Sequence, residues 1–90
     1  MTTRFLVSEA VTLLSVDPDS NRYRGLLVAL DGLRFTVHRY RHVTGRVRGK
    51  LVPVIDKSLE TSEMARSAFE AYIRKKTIRA RDPYVIEGDF

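Results

Sequence analysis

The chain has no cysteine and no tryptophan. Without cysteine there are no disulfides, no thiolate metal sites and no thiol nucleophile. A domain of 90 residues that dispenses with such staples fits a reducing compartment, so a cytoplasmic setting is expected. Long apolar runs are missing too. The longest, 26–30 and 51–55, fall far short of the roughly 20 residues that cross a bilayer, so no membrane association is expected. The start of the chain carries Arg4 but no apolar stretch ahead of a small-residue cleavage site, so no secretory signal is expected. The most specific absence is acidic: residues 32–55 contain neither Asp nor Glu.

What fills that acid-free stretch is basic. It holds Arg34, Arg39, Arg41, Arg46, Arg48 and Lys50, with His38 and His42. The net charge is +5 and the sequence pI about 10.0, and Lys and Arg together number 16, twelve of them Arg. A GC-rich genome raises Arg over Lys everywhere, but it does not clear the acids from one segment. Arg presents a planar fork that matches phosphate oxygens and stacks on bases. A second acid-free stretch, 71–81, carries Arg74, Lys75, Lys76, Arg79 and Arg81. With 43% apolar and 30% charged residues the composition is that of one small globular domain spanning 1–90, with 82–90 a short strand or tail.

Residues 4–16 are rich in Phe, Val, Leu and Thr and read as one or two strands with both faces partly covered. Asp17-Pro18-Asp19-Ser20-Asn21 is a turn, because Pro fixes φ and the short polar side chains bond their own backbone. A second strand covers 22–30. Asp31-Gly32 then predicts a type I′ hairpin joining 23–30 to 33–43. In the second arm Phe35 and Val37 share a face that continues outward to Arg39, Arg41 and Val43. Residues 44–50 read as a basic loop or short irregular strand. Residues 51–55 form a strand whose Pro53 argues for an edge position. One helix is expected over 61–77, since Ala65, Ala68, Phe69, Tyr72 and Ile73 follow the 3.6-residue period. Thr61 is its N-cap, and Glu63 and Arg74 to Lys76 match the two dipole ends. Asp82-Pro83 ends it and 84–86 is extended. The expected fold is α+β: an antiparallel β-sheet of about four to five strands packed on one C-terminal α-helix.

Candidate chemistry is sparse. His38 and His42 have the spacing of a helical zinc pair, but four residues of strand span about 13 Å, too far to share a metal. Gly45-Arg46-Val47-Arg48-Gly49-Lys50 has three residues between its glycines and Leu51 after the lysine, so it is no Walker loop. The serines, histidines and helix carboxylates form no nucleophilic constellation. Glu60, Glu63 and Glu70 read as solvated partners of Arg66 and Arg74. No enzyme, no metal and no cofactor is expected.

A run of segments carries a resemblance: Asn21-Arg22-Tyr23-Arg24-Gly25-Leu26-Leu27, Phe35-Thr36-Val37, Gly45-Arg46-Val47-Arg48-Gly49, Ala65-Arg66-Ser67-Ala68-Phe69, Lys75-Lys76-Thr77 and Tyr84-Val85. Their order, over about 11–85, resembles a WGR domain, the module of DNA-dependent poly(ADP-ribose) polymerases and of small bacterial proteins. The likeness is a divergent one. With Gly45-Arg46-Val47 as the signature core, Thr44 stands where the tryptophan should be. With the hairpin aligned without a gap, Gly45 becomes the later glycine and the signature is lost. In the polymerases the tryptophan and arginine sit at the DNA end and the interdomain contact, so the resemblance transfers only Arg46, under the first alignment.

The resulting expectation is a nucleic-acid-binding module without sequence preference, taking DNA before RNA. Arg39, Arg41, His42, Arg46, Arg48 and Lys50 would meet phosphates at the hairpin end, with Lys75, Lys76 and Arg79 as a second footprint. The alternative is an adaptor, such as a phage or plasmid accessory protein, docking on an acidic protein surface with Tyr40 as anchor. A third reading is a homo-oligomer through the 51–55 edge.

Overall fold

The computed structural model describes residues 8–44, 47–79 and 82–87. Two long strands, β1 (Ser8–Asp17) and β2 (Arg22–Asp31), are joined by a 3₁₀ turn over Pro18–Ser20. Asp17 caps that turn, accepting from the Asp19 backbone N–H at 3.2 Å, and Asn21 closes it in the left-handed region at φ 52°. The two strands pair antiparallel along their whole length, from Ser8 opposite Asp31 to Asp17 opposite Arg22.

The second hairpin forms where Asp31-Gly32 predicts one, but one residue later. Asp31 pairs with Arg34, so the two-residue loop is Gly32-Leu33. Gly32 has φ 62° and Leu33 is not in positive φ, which is the type II′ pattern and not type I′. The shift moves every cross-strand pair on by two residues and leaves the faces unchanged: Leu30 meets Phe35, Val28 meets Val37 and Leu26 meets Arg39. Strand β3 (Arg34–Tyr40) stops earlier than the expected arm. The chain then leaves the sheet and makes a small separate hairpin, β4 (Val43–Thr44) with β5 (Val47–Arg48), where a basic loop or short irregular strand is expected.

Strand β6 (Leu51–Ser58) returns along β3, with a bulge that leaves Val54 unpaired between Pro53 and Ile55. The sheet order is β6-β3-β2-β1-β7, so Pro53 does sit on an edge strand, where its missing N–H costs nothing. Strand β7 (Val85–Ile86) closes the other edge against Leu13 and Leu14.

Helix α1 (Ser62–Thr77) covers one face of the sheet. Thr61 is its N-cap, its hydroxyl accepting from the Met64 backbone N–H at 3.1 Å, a contribution of about 1 kcal/mol. The helix sets Ala65 and Phe69 into a core with Leu13, Leu26, Val28, Leu30, Phe35 and Val37, and the Phe35 and Tyr72 rings meet at 5.9 Å. Burying such side chains contributes about 1.5–3 kcal/mol each. This is the expected α+β architecture, a five-stranded antiparallel sheet on one C-terminal helix. Among the described residues no helix is long and apolar enough to cross a membrane.

The opposite face is covered only in part. Gly25 there has no side chain, and β4 comes down onto it: a Cβ at Gly25 would lie 3.1 Å from Val43 and Tyr40 side-chain carbons and 3.3 Å from Leu14. Val43 is thereby buried, in a small second packing centre.

Candidate nucleic-acid interface

Hairpin register decides where the arginines go. On β2 the core row Leu30, Val28 and Leu26 continues by two residues to Arg24; on β3 the row Phe35 and Val37 continues to Arg39. Arg41 follows just past the strand end. The same face that is apolar under the helix therefore turns basic beyond it. Arg24, Arg39 and Arg41 are exposed and form no ion pair among the described residues. With Tyr23, Tyr40 and Tyr84 they line a cleft of about 430 Å³ with no carboxylate among its described residues.

Tyr84 links this cleft to the end of the helix. It is only 8% exposed, and its backbone N–H donates to the Lys76 carbonyl at 3.0 Å. The Lys76 ammonium lies 5.9 Å from the Tyr84 ring centre and 5.4 Å from that of Tyr72, and the Arg79 guanidinium lies 6.0 Å from Tyr84. Burial, with Arg79 and Lys75 nearby, holds the Lys76 ammonium below the usual 10.5. Burial likewise lifts the Tyr72 hydroxyl above 10.0. Two basic clusters far apart in sequence thus converge on one tyrosine. Lys75 is exposed beside them.

A second hollow of about 460 Å³ adjoins the first and is lined by Ser20, Asn21, Arg22, Tyr23, Arg24 and Asp82. Arg22 is fixed there: its Nε donates to the buried Ser15 hydroxyl at 2.9 Å and its Nη1 to Asp82 at 2.8 Å, with Asp17 at 3.7 Å. Tyr23 and Arg24 belong to both hollows.

Other cations of the acid-free stretch find carboxylates from elsewhere. Arg34 forms a two-pronged pair with Asp56 at 2.9 and 2.6 Å, an exposed contact that lowers the Asp56 pKa below 3.8. Arg48 is paired with Glu87 and lies 5.8 Å over the Tyr40 ring, and its Nε is buried without a partner among the described residues. It faces the side of the sheet away from Arg24 and Arg39. Lys50 and His42 are exposed on the segment between: the Lys50 carbonyl accepts from Arg41 and the His42 carbonyl from Gly49. Arg46 lies outside the described residues. On the helix, Arg66 pairs with Glu70 as its spacing predicts, and also with Glu9 of β1. Among the described residues no group of three or more His, Asp or Glu could hold a metal ion.

Sequence reasoning missed Arg24, Tyr23 and Tyr84 as members of the site. A signal existed for Arg24, because hairpin pairing sets it on the face of Arg39 and Arg41. None existed for Tyr84, whose place depends on the return of the chain after the helix. No family model, no curated protein and no solved structure matches the chain.

Proposed function

We propose that the protein is a nucleic-acid-binding module, not an enzyme, that holds phosphates through Arg24, Arg39 and Arg41 with the helix-end cations Lys75, Lys76 and Arg79 beside them. The observation that carries this reading is the cleft of three arginines, with no carboxylate among its described lining residues, whose wall, Tyr84, brings in the second basic cluster. Forked donors around a concave surface suit phosphate oxygens, and base edges are not needed for such contacts. The preference is for DNA before RNA, and a cytoplasmic setting goes with it. The proposal includes the likeness to WGR domains read from the sequence, with Thr44 in place of the tryptophan, but does not depend on it.

The test is salt. About five phosphate contacts on duplex DNA, at a slope of about −0.9 per contact, give an affinity that falls about 500-fold between about 50 and about 200 mM salt. Removing one contact, as in Arg39→Gln, lowers the salt slope by about one unit without changing preference among sequences. Affinity that stays flat across this range, or no binding at low salt, would overturn the proposal. Retention of one protein partner after nuclease treatment would point to an acidic protein surface as the ligand.

A further inference from the structure

We infer that nucleic acid meets this protein at one end only: a sugar–phosphate backbone enters a fork in the sheet, and the β-strands point away from it. The inference rests on the nucleic-acid reading above and adds how the partner lies.

The sheet splits beyond Leu26 and Arg39, the last pair between β2 and β3. On one side β1 and β2 stay paired down to Asp17 and Arg22. On the other, β3 and β6 stay paired to Tyr40 and Leu51, and the Arg41 N–H donates to the Lys50 carbonyl at 2.9 Å. The cleft lies between these prongs, with Tyr23 and Arg24 from one and Arg39, Tyr40 and Arg41 from the other. The two-residue loop makes Asp31 and Arg34 a hydrogen-bonded pair, and such pairs recur at every second residue. The odd-numbered residues of β2 therefore aim their N–H and C=O groups towards β3. Tyr23 has no β3 residue opposite it. Its N–H thus faces the fork, while its ring lies on the Gly25 face. One main-chain donor joins three guanidinium groups around the space that a phosphate takes.

The other end of the molecule has the opposite sign. Glu9, Asp31 and Asp56 gather near the Gly32 turn, with Glu60 and Glu63 at the start of α1. The Leu59 N–H, donating to the Leu33 carbonyl at 2.8 Å, ties the approach to the helix there. Among the described residues the cations at this end are Arg34, Lys57 and Arg66. Arg34 is bonded to Asp56 and Arg66 to Glu9. Arg24 and Asp31, on one strand, stand about 23 Å apart at about 3.3 Å per residue. That exceeds the screening length of about 8 Å at physiological salt, so each end acts on a polyanion by itself. A strand laid along the molecule sets phosphates against these carboxylates. One laid across the fork does not.

The chain has no cysteine, so a single thiol can be placed and labelled without competition. Ser62→Cys marks the acidic end of α1, and Ile78→Cys, at a position 71% exposed, marks the basic end. The two positions lie about 24 Å apart along the helix. Each labelled protein is bound at low salt to a short blunt duplex with an acceptor dye at its centre. Affinities and thermal midpoints are recorded beside the energy transfer. Transfer should be strong from position 78 and weak from position 62, the two distances differing by about 20 Å. In the unlabelled protein, Glu60→Gln combined with Glu63→Gln should change affinity by less than about 2-fold at about 150 mM salt. Equal transfer from both positions, or a gain of affinity beyond that limit, overturns this inference and leaves the nucleic-acid reading standing. No binding at low salt overturns both.

Discussion

The Arg48 guanidinium is paired with the carboxylate of Glu87, 39 residues further along the chain. It also lies 5.8 Å over the Tyr40 ring. One side chain thus ties the β4–β5 hairpin to a central strand and to the end of β7. Arg48 is 25% exposed and Glu87 33%, so the pair is partly shielded from water. An arginine that reads in the sequence as an outward phosphate contact is engaged on the far side of the sheet from the Arg24 cleft.

The consequence is a double dissociation. Arg48→Gln should cost about 1 kcal/mol of stability, since it strands Glu87 and uncovers Tyr40, while nucleic-acid affinity stays within about 2-fold. Arg39→Gln should do the reverse, shifting stability by less than about 0.5 kcal/mol and weakening binding about 5-fold through one lost phosphate contact. Denaturant midpoints and binding isotherms of the two variants decide it. Equal losses of affinity at unchanged midpoints would place Arg48 among the binding residues.

The core makes a plainer demand. Phe69 is 3% exposed and sits at the centre of the helix-to-sheet contact. Phe69→Ala should cost about 3–5 kcal/mol, most of the stability of a small domain. Met64, on the same helix but 46% exposed, should tolerate Ala within about 0.5 kcal/mol. Urea unfolding of both variants tests the face assignment, and similar losses would mean that the helix packs in another rotation.

Much of this fold is legible in local sequence. Gly32 announces a hairpin because only glycine takes its positive φ cheaply, Thr61 marks the helix start, and Pro53 marks an edge. The alternation of Phe35, Val37 and Arg39 gives the face on which the basic end lies. What local sequence cannot give is the partner of a charge. The stretch 32–55 is acid-free along the chain but not in space, because Asp56 bonds Arg34 and Glu87 bonds Arg48. The pairing of β1 with β7, and the folding of β4 onto Gly25, join segments too far apart for periodicity to register. The candidate site changes for that reason: Arg48 is held in an ion pair, and hairpin register adds Arg24.

Two titrations follow from the charge geometry. The Asp56 carboxyl is held below 3.8, chiefly by its hydrogen bonds to Arg34. A depressed folded-state pKa stabilises at pH above the unfolded value and fades as pH falls through the folded one. Asp56→Asn should therefore lose a little stability at neutral pH, where an exposed pair is worth little, and its stability curve should meet the wild-type curve as pH falls below about 4. An unaltered acid limb would show that this exposed pair does no work.

Lys76 has the opposite sign. Burial, Arg79 and Lys75 hold its ammonium below 10.5, so the proton binds the folded state less tightly than the unfolded. Its charge is then a cost at neutral pH, relieved as pH rises from the folded pKa toward 10.5. A phosphate near Tyr84 would offset the two neighbouring cations and raise the Lys76 pKa. Titration of the Lys76 side-chain signals by NMR, with and without a saturating oligonucleotide, should show an upward shift. An unmoved pKa on a bound complex would place the phosphates away from the helix end.

Gly25 offers the sharpest structural test, because there the need for glycine is a matter of space. A Cβ would come within 3.1 Å of the Val43 and Tyr40 side chains and 3.3 Å of Leu14. Each neighbour would have to yield by a few tenths of an ångström, and Val43 belongs to a hairpin held mainly by that contact and by Arg48. Gly25→Ala should thus lift β4 from the sheet at a cost of about 1–2 kcal/mol. Faster amide exchange should follow at Gly49, whose N–H donates to the His42 carbonyl at 2.7 Å, while amides of β2 and α1 under the main core keep their protection. Arg24 and Arg39 lie on the other face, so binding to nucleic acid should survive in the variant. A wild-type midpoint with unchanged exchange at Gly49 would mean that β4 does not rest on Gly25.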